Sequence, residues 1–417
     1  MQVDVRFRIA TGGLLILAAL APARVGGQAS APAGPITIGV LAPVTGPFNA
    51  FARDIIDGAR LYYDEINGQM GRRKIELIVE DYQIKPDVGL TKIRKLVERD
   101  HAHAVVGITL SAVALAVRDY VNSQKVPLII SGFAVAESLT LQHNPYVFRI
   151  TYSAAMTPAP IAQWAYRHLN ARRAAIIASD SVGPIELIMA WARAFEAAGG
   201  KILQEVYAPL GTADFAPYIA QLRRDVDIIG VQVVGGDGVR FVRQYEEFGL
   251  KGKIPLVDAS VGINDLSLLP AAGEAAVGSY NSQPYQYTLD TPRNRKFVQA
   301  FRARYARDPG APSEFTYAAM MAIDQAVNTV GGHVEDSARF LEALRKTDIE
   351  APQGRIRFDR FQNVVTDVHI SRIDKVGDKI VPVVIETVRG VDQFLGMDPA
   401  EYLKKPRLVT LKGTFAK

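Results

Sequence analysis

The sequence predicts an α/β protein built as two doubly wound parallel-sheet lobes, and three observations lead there. From Ile36 to Val257, apolar runs of strand length alternate with segments of helical periodicity, the pattern of consecutive βαβ units. The stretch His103–Thr140 holds one such unit complete. A short apolar run (Ala104–Gly107) meets a polar turn with Thr109 and Ser111, then an apolar helix-length segment (Ala112–Asn122), then a second apolar run (Val126–Ile130) closed by Ser131-Gly132. A second round of the same alternation, nearly equal in size, starts after Thr151 without recognisable repetition. Strands joined in this way are parallel neighbours, and open parallel sheets hold ligands beyond the carboxyl ends of their strands.

The elements follow in order. Ile36–Leu41 is a strand, and Ala42–Asn49, with Pro43, Gly46 and Pro47, is its loop. Ile55, Ala59, Tyr62 and Ile66 recur at helical spacing up to Asn67-Gly68. Lys74–Glu80 alternates as a strand, Val88–Val97 is helical, and Tyr146–Ile150 closes the first round. In the second round, helix Pro158–His168 precedes strand Ala174–Ala178, and the helix carrying Ile188, Ala192 and Phe195 ends at Gly199-Gly200. Strands Ile202–Tyr207, Asp227–Val234 and Ile254–Val257 alternate with a helix carrying Phe215, Ile219 and Leu222 and one carrying Val242, Tyr245 and Phe248. After Ala276 come helices near Phe297–Tyr305, Phe315–Val330 and Phe340–Leu344. Short strands Arg355–Phe358, Val368–Ile373 and Ile380–Thr387 follow them. These late helices exceed what the second lobe needs, so crossings between lobes are expected near Thr151, Tyr280 and Gln353. The expected division is 36–150 with 281–353 as lobe 1, 151–280 with 354–389 as lobe 2, and 390–417 as a tail.

Composition narrows the function. The 417 residues are 48% apolar and 22% charged, as in ordinary globular proteins. The net charge of +5, with no run of basic residues, argues against a nucleic-acid partner. Arg6 and Arg8 precede an apolar run (Leu14–Ala21) too short to span a membrane, and small residues follow to Ala29. Residues 1–29 thus read as a secretory signal peptide, cleaved after Ala23 or Ala29, which places the mature protein in the periplasm. With no cysteine, disulfides, thiolate metal sites and a lipid-modified Cys anchor are all excluded.

The enzyme readings fail in turn, and neither a cofactor nor a metal is expected. No G-x-S-x-G, H-E-x-x-H or P-loop motif occurs. Gly236-Asp237-Gly238 follows a strand, yet Phe241 stands where a dinucleotide fingerprint needs its third Gly, so a tight turn is the better reading. His101 and His103 have no further ligand nearby and read as a solvated strand edge. What remains is binding chemistry. Ser111, opening a helix, either caps that helix or donates to a ligand anion at its N-terminus. Aromatic residues gather in loops at strand ends: Phe48, Phe51, Phe133, Tyr152, Tyr280 and Tyr285.

Ile36–Pro47 (ITIGVLAPVTGP) resembles the opening of Leu/Ile/Val-type periplasmic binding proteins of ABC transporters. Similar matches are Gly58-Ala59, Glu80-Asp81, Val105-Val106-Gly107, Gly199-Gly200 and Gly273–Gly278 (GEAAVG). The resemblance runs over about residues 36–375. It implies two lobes joined by three hinge strands, a small-molecule solute captured between them, a membrane permease as partner, and a monomer. It places the carboxylate-binding Ser at Ser111, the following loop at Phe133, Ala134 and Val135, and the packing aromatic at Phe51. Tyr152 belongs to the same aromatic set, and the Tyr that frames the pocket falls near Pro184. The acid that pairs with a ligand ammonium falls on Ala259, leaving Asp180, Asp237 or Asp258 as substitutes. The two disulfide positions of the archetype fall on Ile84 and Leu110. The Phe residues and the absent acid together favour a hydrophobic or aromatic carboxylate. A branched-chain amino acid, or a sensor of the same fold, is the alternative.

Overall fold

Ten strands and α-helices fill the first part of the chain: β1 (Ile36–Ala42), α1 (Asn49–Glu65), β2 (Gln69–Met70), β3 (Arg73–Asp81), α2 (Pro86–Arg94), β4 (Ala104–Gly107), α3 (Ser111–Gln124), β5 (Leu128–Ile130), α4 (Ser138–Leu141) and β6 (Val147–Arg149). The computed structural model describes residues 34–141 and 144–416, so the segment read as a signal peptide lies outside the described residues. All seven residues of β1 are buried, because helices cover both faces of this mainly parallel sheet. The strand order is β2-β3-β1-β4-β5-β6. Since β1 has β3 on one side and β4 on the other, the winding reverses between β1 and β4, and a ligand crevice opens beyond their carboxyl ends. Gly107, at φ 116°, ends β4 there, and a Cβ on it would run into the Leu41 carbonyl.

The second sheet is built after Thr151. Its part of the chain runs α5 (Pro158–His168), β7 (Arg173–Ser179), α6 (Val182–Ala197), β8 (Lys201–Ala208), α7 (Ala216–Gln221), β9 (Ile228–Gln232), α8 (Gly236–Glu247), β10 (Leu256–Asp258), α9 (Leu269–Ala272) and β11 (Tyr280–Gln283). Then come α10 (Pro292–Tyr305), α11 (Ala311–Thr329), α12 (Ser337–Arg345), β12 (Asp348–Ala351), β13 (Gly354–Phe358), β14 (Val364–Val376), β15 (Lys379–Val391) and α13 (Pro399–Lys404). The order is β12-β13-β14-β11-β10-β9-β7-β8, with β15 on β14. Here the winding reverses between β7 and β9. The chain passes from the first sheet to the second after β6, sends helices back to the first lobe after β11, and rejoins the second sheet after α12. Helix α11 returns to pack along α1, where Gly58 lies so close to the Ser313 backbone that no side chain would fit.

Several elements differ from expectation. Strands β14 and β15 are 13 residues each, a long hairpin in place of two short strands. Its outer end, around Asp374–Lys379, has solvent on both faces, so no apolar alternation marks it. Strands β11 and β12 went unread; β12, within the span expected for lobe 1, pairs with β13 and joins the larger sheet. His101 and His103 precede β4, and His103 Nδ1 accepts the Thr37 N–H at 3.1 Å. The tail is ordered onto the body. Phe394, Tyr402 and Leu408 are buried, and Leu408 N–H donates to Glu137 Oε1 at 3.0 Å.

One buried acid ties α11 to the third crossing. Glu314 has no solvent exposure; it accepts the Gln353 N–H at 3.1 Å, and its other oxygen, Oε2, has no partner. Burial pushes its carboxyl up to about 8, from 4.5. Between those values the folded protein keeps a proton that the unfolded chain has lost. Stability should therefore fall by about 1.4 kcal/mol per pH unit through that window from this group. Glu314→Gln removes the proton and the slope. In urea unfolding, the variant should gain on wild type steadily from pH 5 to pH 8, and parallel profiles would refute the assignment.

Candidate functional site

The two switch points face each other across a cavity of about 260 Å³. The walls come from strand carboxyl ends, the turns after them and the first turns of the helices that follow. From the first lobe come Phe48 and Phe51 after β1, Thr109–Ala112 after β4, Phe133 and Val135 after β5, and Tyr152 after β6. From the second come Ser181–Pro184 and Leu187 after β7, Leu210 after β8, Gln232 and Val234 at the end of β9, and Val261 after β10. None of the lining side chains is an acid or a base. The aromatic wall is continuous: Phe51 meets Phe133 edge-on at 5.1 Å, and Phe133 lies 6.4 Å from Tyr152. The Tyr152 hydroxyl is engaged by Ser260 Oγ at 2.9 Å, and burial raises its pKa, so it is a neutral wall at any physiological pH.

Ser111 resolves its two readings in a third way. Leu110 occupies the N-cap position of α3, and the Ser111 hydroxyl makes no cap bond to its own helix. Its Oγ accepts the N–H groups of Val135 and Ala136, each at 3.1 Å, which leaves the hydroxyl hydrogen free to donate. The rest of that loop is equally tied. Ala154 N–H donates to the Val135 carbonyl, Arg149 Nη1 to the Ala136 carbonyl at 2.8 Å, and Glu137 N–H to Glu186 Oε2 of the second lobe at 2.7 Å. Burial presses both charged groups toward neutrality, Arg149 down to about 10 and Glu186 up to about 8. Opposite Ser111 stands Gly183, in the first turn of α6; a Cβ there would sit 3.1 Å from Ser111 Oγ. Two helix N-termini, those of α3 and α6, thus converge on the cavity, and the unsatisfied N–H groups of each favour an anion.

Of the residues singled out from sequence, Phe51, Ser111, Phe133, Val135, Tyr152 and Pro184 line this cavity, as do Phe48, Ile84 and Leu110. Ala134 is buried behind it, while Tyr280 and Tyr285 pack on Trp164 and Phe297. The three candidate acids are not among the residues lining this cavity, although Asp237 lines a smaller pocket that shares Phe48, Ile84, Leu210 and Val234 with it. Asp180 is 44% exposed and pairs with Lys412 of the tail at 2.6 Å. Asp237 accepts the Gly211 N–H at 2.7 Å and pairs with Arg240. Asp258 folds back on its own turn, accepting Gly262 N–H at 2.7 Å and Asn264 N–H at 3.2 Å. Sequence reasoning passed over Gln232, the single polar residue of β9 (IIGVQ), although a polar group closing an apolar strand was a visible signal.

Comparison with known proteins gives one answer. A family model described as "Periplasmic binding protein" matches residues 35–378. A Leu/Ile/Val-binding protein homolog of Brucella melitensis is 27% identical over 350 residues, covering 82% of this chain and 88% of the relative. An ABC transporter substrate-binding protein from Sphaerobacter thermophilus is 36% identical with a TM-score of 0.81, covering 86% of this chain and 99% of its own. A solute-binding protein of an ABC transporter from Rhodopseudomonas palustris BisB5, solved with 3,4-dihydroxybenzoic acid, is 25% identical with a TM-score of 0.81, covering 86% and 98%. Two parallel-dominated sheets with switch points facing one cavity, and a family match spanning most of the chain, place this protein in the periplasmic binding protein family.

Proposed function

We propose that this protein is the exported solute-binding component of an ABC importer, and that its solute is a one-ring aromatic or similarly apolar carboxylate. The lobes of that reading are 36–150 with 281–353 and 151–280 with 354–389, apart from β12, which pairs into the larger sheet. They close on the solute, and the closed form docks on a membrane permease. Its role is capture and delivery rather than catalysis. The observation that carries the ligand class is the lining itself: aromatic walls, converging helix N-termini and no charged side chain. A carboxylate gains from the N–H groups and the free Ser111 hydrogen. An α-amino acid would bring an ammonium with no acidic partner, and an unpaired buried charge is costly. Size agrees, since an apolar cavity of about 150 Å³ accommodates benzene, and this one has room for a ring with substituents. The solved relative from Rhodopseudomonas palustris BisB5 with 3,4-dihydroxybenzoic acid supports the same class.

Thermal unfolding of the mature protein against benzoates and against leucine, isoleucine and valine tests this. A true ligand at 100 times its Kd adds about 2.7 kcal/mol of stability, a visible rise in Tm. Benzoates should raise Tm and the amino acids should not. A response to the amino acids alone would reverse the ligand reading and leave the transport role intact.

A further inference from the structure

Gln232 ends β9 at the second-lobe switch point, has no solvent exposure and lines the cavity. Neither its Oε1 nor its Nε2 has a hydrogen-bond partner. Buried amides are nearly always paired, so a primary amide with both ends idle at a ligand cavity needs a reason. Its neighbours do not supply one. Gly230, two residues earlier and on the same face of the strand, is covered by the Trp191 ring, and Val234 beyond it is apolar. In an aromatic cavity the cheaper residue at this place is Leu or Met, of similar volume and without a desolvated amide.

We infer that Gln232 reads a hydroxyl group on the solute, which makes the preferred ligand a hydroxylated aromatic carboxylate. This rests on the carboxylate reading above and adds the second recognition point. The two ends of such a ligand fall to different lobes. The carboxylate belongs with Ser111 and the helix N-terminus of the first lobe, where Thr109 Oγ1 is also buried and unpartnered. The hydroxyl belongs with Gln232 of the second lobe. A phenolic hydroxyl can accept from Nε2 or donate to Oε1, so it satisfies the amide in either orientation. The group is neutral, because no charged side chain lines the cavity to balance a second ionised group. Bridging the lobes through one rigid ring also links recognition to closure: a ring without the hydroxyl leaves the amide unpaired when the lobes shut. A site built to hydrogen-bond a hydroxyl rejects the analogue lacking it far more strongly than a greasy pocket rejects an extra methylene.

The test is calorimetric titration of the mature protein with benzoate, 3-hydroxybenzoate and 4-hydroxybenzoate, repeated on Gln232→Leu and Gln232→Met. Wild type should bind one hydroxybenzoate at least ~10-fold more tightly than benzoate, the usual penalty for stranding a buried polar group. Both variants should bring that ratio to within ~3-fold by losing hydroxybenzoate affinity while keeping or improving that for benzoate. Equal binding of all three by wild type, or a preference that survives in both variants, overturns the role of Gln232 and leaves the carboxylate reading in place. Binding of none of the three removes both.

Discussion

Replacing Arg149 with Met is expected to cost about 3–5 kcal/mol of folding stability, the usual loss when one member of a buried charged network is removed. Arg149 ends β6 with no solvent exposure and fans its guanidinium over three acceptors in different elements. Nε donates to Asn363 Oδ1 at 2.7 Å, Nη1 to the Ala136 carbonyl at 2.8 Å, and Nη2 to Thr140 Oγ1. These join the cavity loop, α4 and the turn between β13 and β14. The guanidinium is also the nearby counter-charge of Glu186 and Asp359, whose carboxyls burial already raises. Met fills similar volume, yet it leaves Asn363 Oδ1 without its donor, takes one of two N–H donors from the Ala136 carbonyl, and removes a counter-charge from Glu186 and Asp359. Arg149→Lys should recover only part of the loss, since one ammonium cannot span a fork of acceptors. Guanidinium unfolding of the three proteins measures this. A loss under 1 kcal/mol for the Met variant would show that water or rearrangement substitutes for the network.

That network shows where sequence reading stops. Periodicity is local, and wherever one face of an element is buried it was legible: helix Pro158–His168 stands where its spacing put it, and the βα alternation gave both sheets. Strand β11 (YNSQ) was not legible, because its polar side chains are buried at a crossing where apolar ones would be expected. The tail escaped because three anchors, Phe394, Tyr402 and Leu408, hold it without any period. At the site, residue type and position beyond a strand end were enough to bring Phe51, Ser111 and Phe133 to the cavity wall. The acids, offered only as stand-ins for the position the resemblance puts at Ala259, do not line that wall. Whether Asp258 faces a ligand or its own turn depends on which N–H groups the loop returns to it, and that is fixed by tertiary structure.

Gly183→Leu is expected to abolish tight solute binding, by about 10- to 100-fold in Kd, without destabilising the empty protein. The three atoms nearest to a Cβ at this position are Ser111 Oγ, Val135 Cγ2 and Ser111 Cβ, at 3.1, 3.5 and 3.8 Å, all in the opposite lobe. The first contacts of a larger side chain therefore lie in the opposite lobe, so it presses there as a wedge when the lobes meet. In α6 itself, exchanging Gly for Leu improves helix propensity, so unfolding free energy without ligand should hold or rise slightly. Gly183→Ala places one carbon at a distance Ser111 can yield to, and should weaken binding only a few-fold. Gly58 makes the contrast, because its obstacle is the Ser313 backbone on the helix that packs along it, and enlarging it should unfold the protein. Titration of both Gly183 variants with the best ligand, beside small-angle scattering of the liganded proteins, separates the cases. An unchanged Kd for Gly183→Leu would mean that the bound state does not bring α6 onto Ser111, and the capture geometry would have to be redrawn. A lost Kd with intact stability and scattering that still shows the open form would make the approach of these two helix N-termini the closing contact of the trap, whereas a closed form without solute would mean that the side chain only fills the cavity.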